Sequence, residues 1–452
     1  MGAMKRKRGN VMQSMKRSLL AGLVSFCSGF VFAARPDYGK PNYDVSKIAP
    51  YTLEDPLTFV NGGKVASPAD WARRRREILE IFAKQMFGEE PPKPEAFVAE
   101  KWEEGVTLAG FGIRRQYRTW FRRDKSGPAI DWLVLIPRHG KRPVPPIIFL
   151  NYSGNHELVR DKQVTIPDMW LPFRPGNKPH EEMRGRYEDM NSVEFVFPAH
   201  MLLARGYAVI TACYAQVSPD VSPNADGSIP AGKPSPWTGV FELWPARDPG
   251  RDDNTTAIGA WAWALSRGLD LAGTIPEIDA GKAIAAGYSR LGKTALLAAA
   301  RDERFAACVP NQTGLGGCAL AKRDYGANIA TETRAFRHWY CPAYKKFEKD
   351  PATLLTFDQH LLLAAVAPRK LFVQGFDDRW FNTEGEYLAC RAASPVWVFL
   401  GKEGLPDKPF PADYDTSCMG RDLAYVRRTE GHGYSAHDWT WLMDFCDSLQ
   451  TE

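Results

Sequence analysis

The octapeptide Gly287-Tyr288-Ser289-Arg290-Leu291-Gly292-Lys293-Thr294 lies between a run that reads as a strand and an alanine-rich run that reads as a helix. Two chemistries fit it. In one, Ser289 is a nucleophile raised on a sharp strand-to-helix turn, and small residues let strand and helix approach closely. The usual spacing is GxSxG, whereas here it is GxSxxG. In the other, Gly287, Gly292, Lys293 and Thr294 satisfy GxxxxGK[ST], the pattern of a phosphate-cradling loop. The apolar run 371–375, followed by Asp378, could then imitate the strand and Asp that hold magnesium beside such a loop.

Three features favour the nucleophile. The motif comes late, after at least two expected parallel strands. The chain opens on an export signal, and ATP is scarce outside the cell. An acid and a histidine also follow in the order Ser, acid, His that hydrolases of this kind use. Asp378 stands just past the run 371–375, with Asp377 as its competitor. Of eight histidines, His432 stands out: it sits in Glu430-Gly431-His432-Gly433, beyond the last expected strand, with His437 as a fallback. The set suits acyl transfer. A serine hydroxyl is a poor nucleophile until a base takes its proton. A neutral imidazole does this near neutral pH. A carboxylate on the far ring nitrogen fixes the tautomer and stabilises the imidazolium. Donors must then meet the developing oxyanion. The N–H of Arg290 is in place for that, and its guanidinium could add a charged donor.

The elements that must position these residues are legible as patterns. Residues 68–87 read as a helix with Ser67 as a possible N-cap. Alternation over 112–120 and 129–136 suggests a hairpin. From 143 onward, short apolar runs (146–150, 207–213, 282–286, 305–310, 371–375 and 396–400) alternate with helical segments (253–272, 291–301, 361–367 and 439–449). Strands alternating with helices imply an α/β fold with a mostly parallel sheet covered on both faces. The stretches 154–194 and 218–250 are long, Pro-rich and aperiodic, as loops that decorate a binding face often are.

Composition narrows the class. Of 452 residues, 44% are hydrophobic and 25% charged, which suits a globular protein with a large core. Residues 1–33 differ in kind: six basic residues, no acid, then an apolar run ending Val31-Phe32-Ala33. This is the pattern of a secretory signal peptide. The run is shorter than the roughly 20 residues of a membrane span, so no stable anchor is expected. Without those six, 52 basic residues face 53 acidic ones, a net charge of −1. The apparent basicity belongs to the signal, and nothing suggests a nucleic-acid groove. The chain is expected to divide into the signal (1–33), an N-terminal lead-in (34–110) and a catalytic domain (111–452). Cysteines 213, 308, 318, 341, 390, 418 and 446 would remain, an odd count that leaves at least one thiol unpaired. Cys213 and Cys308 sit in strand-like runs and read as buried thiols. No cysteine or histidine cluster has zinc spacing.

Taken together, several segments resemble the glucuronoyl esterases, carbohydrate esterase family 15. They are Trp261-Ala262-Trp263-Ala264-Leu265-Ser266-Arg267, Gly287 to Lys293, Asn311 to Gly317 and His338-Trp339-Tyr340-Cys341-Pro342. Ala367-Pro368-Arg369, Asp378-Arg379-Trp380 and Gly431-His432 through Asp438-Trp439 complete the set. The resemblance implies an α/β-hydrolase three-layer αβα sandwich with no metal or other cofactor, expected to act as a monomer. It implies cleavage of the ester between 4-O-methyl-glucuronic acid on glucuronoxylan and lignin alcohols. By the same resemblance Ser289 attacks, His432 is the base, Asp378 the acid, and Arg290 supports the oxyanion. Lys293 and Trp380 would hold the sugar, with Glu332 and His338 nearby. Two departures stand out. Many members carry the acid just after the strand that follows the elbow, where this chain has Gln312. A sugar-contacting Glu of a Phe-Gly-Glu motif is replaced in Tyr325-Gly326-Ala327. Alternatives are therefore an acetyl-xylan or other carbohydrate esterase of the same fold, or a carbohydrate-binding protein with a degenerate site.

Overall fold

The structure is a computed structural model that describes residues 40–171 and 197–451. The expected signal peptide and much of the 154–194 loop lie outside the described residues.

Nine strands form one sheet among the described residues: β1 Val98–Thr107, β2 Gly112–Trp120, β3 Ala129–Pro137, β4 Pro146–Asn151, β5 Ala208–Cys213, β6 Ile284–Tyr288, β7 Ala307–Asn311, β8 Lys370–Phe376 and β9 Leu423–Arg428. Their spatial order is β1-β2-β3-β5-β4-β6-β7-β8-β9. The first pairings, out to β3 with β5, are antiparallel, and every later one is parallel. From β4 the chain first crosses to β5 on one side and then to β6 on the other. The order reverses there, and open α/β sheets bind ligands in the crevice such a reversal leaves at the strands' C-terminal ends.

Period-two alternation separates two cores. In β3, Trp132, Val134 and Ile136 face one layer, and Leu133 and Leu135 face the other. The first layer holds helices α2 Ala257–Ala272, α3 Arg290–Arg301 and α4 Thr383–Ala393, joined by α1 Pro68–Phe82. The second is built on α5 Ala436–Cys446, through Trp439, Leu442 and Met443. This is the three-layer sandwich of the α/β-hydrolase fold. Ser67 caps α1, its side chain accepting from the N–H of Asp70. Thr256 caps α2 in the same way. The hairpin expected over 112–136 forms as β2 and β3.

Two elements differ from the sequence reading. Residues Pro395–Phe399 are a short helix, not the strand expected at 396–400. Pro395 opens that helix, and Trp397 is buried with its Nε1 donating to the Arg369 carbonyl at 3.0 Å. The strand ahead of His432 is instead β9, which ends on Arg428. All seven cysteines between 213 and 446 are free and buried, Cys213 and Cys308 among them.

Candidate active site

Ser289 follows β6 and precedes α3, with φ 57° and ψ −131°. A non-glycine residue with positive φ is uncommon outside strained functional turns. Its N–H donates to the Asn311 carbonyl at 2.9 Å, which ties the turn to the end of β7. Ser289 occupies the N-cap of α3 but its hydroxyl makes no capping bond. The glycines explain the widened spacing. A Cβ on Gly287 would lie 2.3 Å from the Leu291 carbonyl oxygen, and one on Gly292 would lie 2.9 Å from that of Asn311. Helix packs on strand through these two positions. Lys293 is buried one turn beyond Ser289, and its Nζ donates to Glu332 Oε2 at 3.1 Å and lies 3.4 Å from the Tyr340 hydroxyl. An amine committed to a buried carboxylate does not suit a phosphate cradle, and the turn has the sharp strand-to-helix geometry of an elbow instead.

Arg290 opens α3, so its N–H is among the first-turn groups that point away from the helix body. Its guanidinium lies 4.7 Å above the Trp339 ring and pairs with Asp220. Asp220 was not singled out from the sequence, because it lies in an aperiodic loop. It is nonetheless the centre of a buried network. Its Oδ1 takes His338 Nε2 at 2.6 Å and Trp339 Nε1 at 2.9 Å, and Oδ2 accepts from the Tyr214 hydroxyl at 2.8 Å. Burial alone would raise this carboxyl. The Arg290 charge and the His338 and Trp339 bonds outweigh that and hold it below the usual carboxylate range. His338 is thus buried behind Arg290. A cavity of about 340 Å³ opens beside Arg290, walled by Trp170, Pro230, Lys233 and Phe336.

His432 enters from the loop after β9. Its ring stands 5.3 Å from that of Tyr288, the residue before Ser289, and 5.6 and 5.0 Å from Phe376 and Phe381. Burial, with the positive charges of Arg290, Arg428 and Lys293, pushes its pKa down to about 3. The imidazole is therefore neutral near pH 7, as a general base must be. Asp378 lies on the turn between Phe376 and Phe381, where its exposed side chain accepts from the Trp380 N–H at 2.7 Å and caps its own turn. Asp377 is exposed, 3.6 Å from Arg427, and His437 is exposed and paired with Glu430. Trp380 packs partly buried on the core. Its carbonyl accepts from Ala327 N at 2.8 Å, so position 327 adjoins the Trp380 turn.

The sandwich, with Ser289 strained on the turn after β6 and His432 packed on the neighbouring Tyr288 ring, is that of the α/β-hydrolase class, and its relatives make the chain a carboxylic ester hydrolase. A family model described as glucuronyl esterase, fungi, matches residues 243–401. A carbohydrate esterase from an unknown prokaryotic organism is 31% identical over 443 residues, spanning 95% of this chain and 98% of the relative. A 4-O-methyl-glucuronoyl methylesterase of Podospora anserina is 28% identical over 77% of this chain, which spans 60% of that relative's length. A glucuronoyl esterase structure from Solibacter usitatus superposes with TM-score 0.80 at 29% identity, covering 90% of this chain and all of that one. The chain belongs to the glucuronoyl esterases, carbohydrate esterase family 15.

Proposed function

We propose that the protein hydrolyses the ester between 4-O-methyl-glucuronic acid on glucuronoxylan and lignin alcohols, through an acyl-enzyme. The carrying observation is Ser289, held at positive φ on the elbow with a carboxylate-anchored arginine as the next residue. Ser289 attacks the uronoyl carbonyl while His432 takes its proton. The N–H and guanidinium of Arg290 meet the oxyanion. His432 then protonates the departing alcohol, and water reverses the sequence to free the uronic acid. Asp378 is assigned as the acid behind His432 from its place on the turn that flanks the imidazole. Lys293, one helical turn beyond the serine, and Glu332, its partner from another helix, suit the sugar hydroxyls, and Trp380 suits its ring face. The cavity beside Arg290, with its Trp170 and Phe336 walls, suits an aromatic alcohol. The basic and then apolar run over residues 1–33 supports export. Among the described residues no helix is long and apolar enough to cross a membrane.

The test is hydrolysis of benzyl glucuronate by the wild type and by Ser289→Ala, His432→Ala and Asp378→Asn. Losses of about 10³-fold or more are expected at Ser289 and His432, with a smaller but clear loss at Asp378. Ala327, beside the Trp380 turn and at the place where the family resemblance implies a sugar-contacting Glu, favours a second reading as an acetyl-xylan esterase. A preference for acetylated xylan over the glucuronate would select it.

A further inference from the structure

The loop bearing His432 is held by its backbone. Gln312 follows β7 at φ 50°, and its N–H donates to the Gln374 carbonyl at 2.6 Å. Its fully buried amide makes a reciprocal pair with Gly433: Nε2 donates to the Gly433 carbonyl at 2.9 Å, and the Gly433 N–H donates to Oε1 at 2.9 Å. Gly433 has φ 134°, a conformation that favours glycine, and directly follows His432. Arg428, also fully buried, completes the frame. Its Nη1 donates to the carbonyls of Glu430 at 2.6 Å and Gly431 at 3.1 Å, and its Nη2 to that of Gly433. Asp438 fixes that guanidinium, with contacts of 2.7 to 3.0 Å. Three of the four carbonyls from 430 to 433 are thus bound from beneath.

We propose that Gln312 is a positioning residue, whose amide, together with Arg428, locks the histidine loop so that His432 meets Ser289. This rests on the esterase reading above but not on the choice of substrate. A glutamine is suited to the task because it both donates and accepts. A carboxylate in its place keeps the bond from Gly433 N–H but, once ionised, sets an acceptor against the Gly433 carbonyl. The charged groups around that position are Arg428, Asp438 behind it, His432, and Glu386, which binds the N–H groups of Thr313 and Gly314 next along the chain.

Two variants test this, read by the rate at which a fluorophosphonate labels Ser289 and by kinetics on benzyl glucuronate. Gln312→Met keeps the volume and removes both bonds. Labelling and kcat should fall about 10- to 100-fold, as for displacement of a reacting group by an ångström or so. KM should stay within about twofold. Gln312→Glu should label fastest at low pH, where its carboxyl is protonated and donates, and slow as pH rises, a limb the wild type lacks. Wild-type labelling and kcat in Gln312→Met despite a lower Tm would reduce the residue to a structural one and overturn the proposal. So would a Gln312→Glu profile parallel to the wild type. A wild type that labels at Ser289 but leaves benzyl glucuronate intact would overturn the substrate reading alone. No labelling of the wild type would overturn both.

Discussion

At the scale of single residues, the site works by fixing charges before substrate arrives. Asp220 is the clearest case: a buried anion that gathers an arginine, a histidine, a tryptophan and a tyrosine. The residue after a nucleophile already offers its backbone N–H to the oxyanion. A guanidinium left to swing would add little to it. Tied to Asp220 and stacked on Trp339, the Arg290 guanidinium is preorganised. Asp220→Asn keeps the shape but removes the charge, and kcat should fall about 10- to 100-fold with the fold intact. Full kcat in this variant would show that Arg290 needs no anchor. His432 makes a second prediction at this scale. Burial pushes its pKa down to about 3 from the ordinary 6.5, so the imidazole stays neutral as pH falls through 6 and 5. The kcat/KM profile should therefore lack an acid limb near 6.5. A limb at that value would show the imidazole titrating as in water.

At the scale of elements, the elbow depends on two glycines, Gly287 against which α3 rests and Gly292 of α3 itself, which rests against the end of β7. A methyl on Gly287 would meet the Leu291 carbonyl carbon and oxygen at 2.6 and 2.3 Å, both backbone atoms that cannot turn aside. Gly287→Ala should therefore cost about 1–3 kcal/mol, seen as a lower Tm, and should displace Ser289. A variant of unchanged Tm and activity would mean that the turn adjusts freely. The same two residues show why the elbow was legible in the sequence: close backbone approach demands glycine at fixed positions, and the demand is written locally. The parallel strands were legible for a related reason. Buried on both faces, they read as unbroken apolar runs, as in 146–150 and 207–213. Elements at the margins were not. β1 carries Glu100, Lys101, Glu103 and Glu104 on an edge, with little apolar signal. β9 ends in two arginines, and the burial of Arg428 depends on Asp438, ten residues away and in a different element. Val396 to Phe399 shows strand-forming residue types, yet Pro395 and the burial of Trp397 make a helical turn. The site divides likewise. Ser289, Arg290 and His432 are proposed for the site from motif and order. Asp220 and the role of Gln312 depend on contacts between distant segments, which no spacing records.

At the scale of the whole molecule, the interior carries ionisable groups whose titration sets how stability follows pH. Glu386, on α4, is fully buried beneath the turn that follows β7. Its Oε1 accepts from the Thr313 N–H and hydroxyl, each at 3.0 Å, and from the Gly314 N–H at 2.9 Å. Burial raises its pKa to about 7, against the opposing effect of those bonds and of Lys293. Between the ordinary value of 4.5 and 7 the folded protein holds a proton that the unfolded chain has released. Stability from this group is thus fullest below 4.5 and falls as pH rises towards 7. The substitution Glu386→Gln would keep an oxygen for the three donors and introduce a side chain that never ionises. Relative to wild type the variant's Tm should gain steadily from about pH 5 to pH 7 and level off above, a difference on the order of 2 kcal/mol. Thermal unfolding of both proteins across that range reads the difference directly. A constant offset would mean that Glu386 titrates alike in both states, and that its bonds to the 313–314 turn compensate fully for its burial.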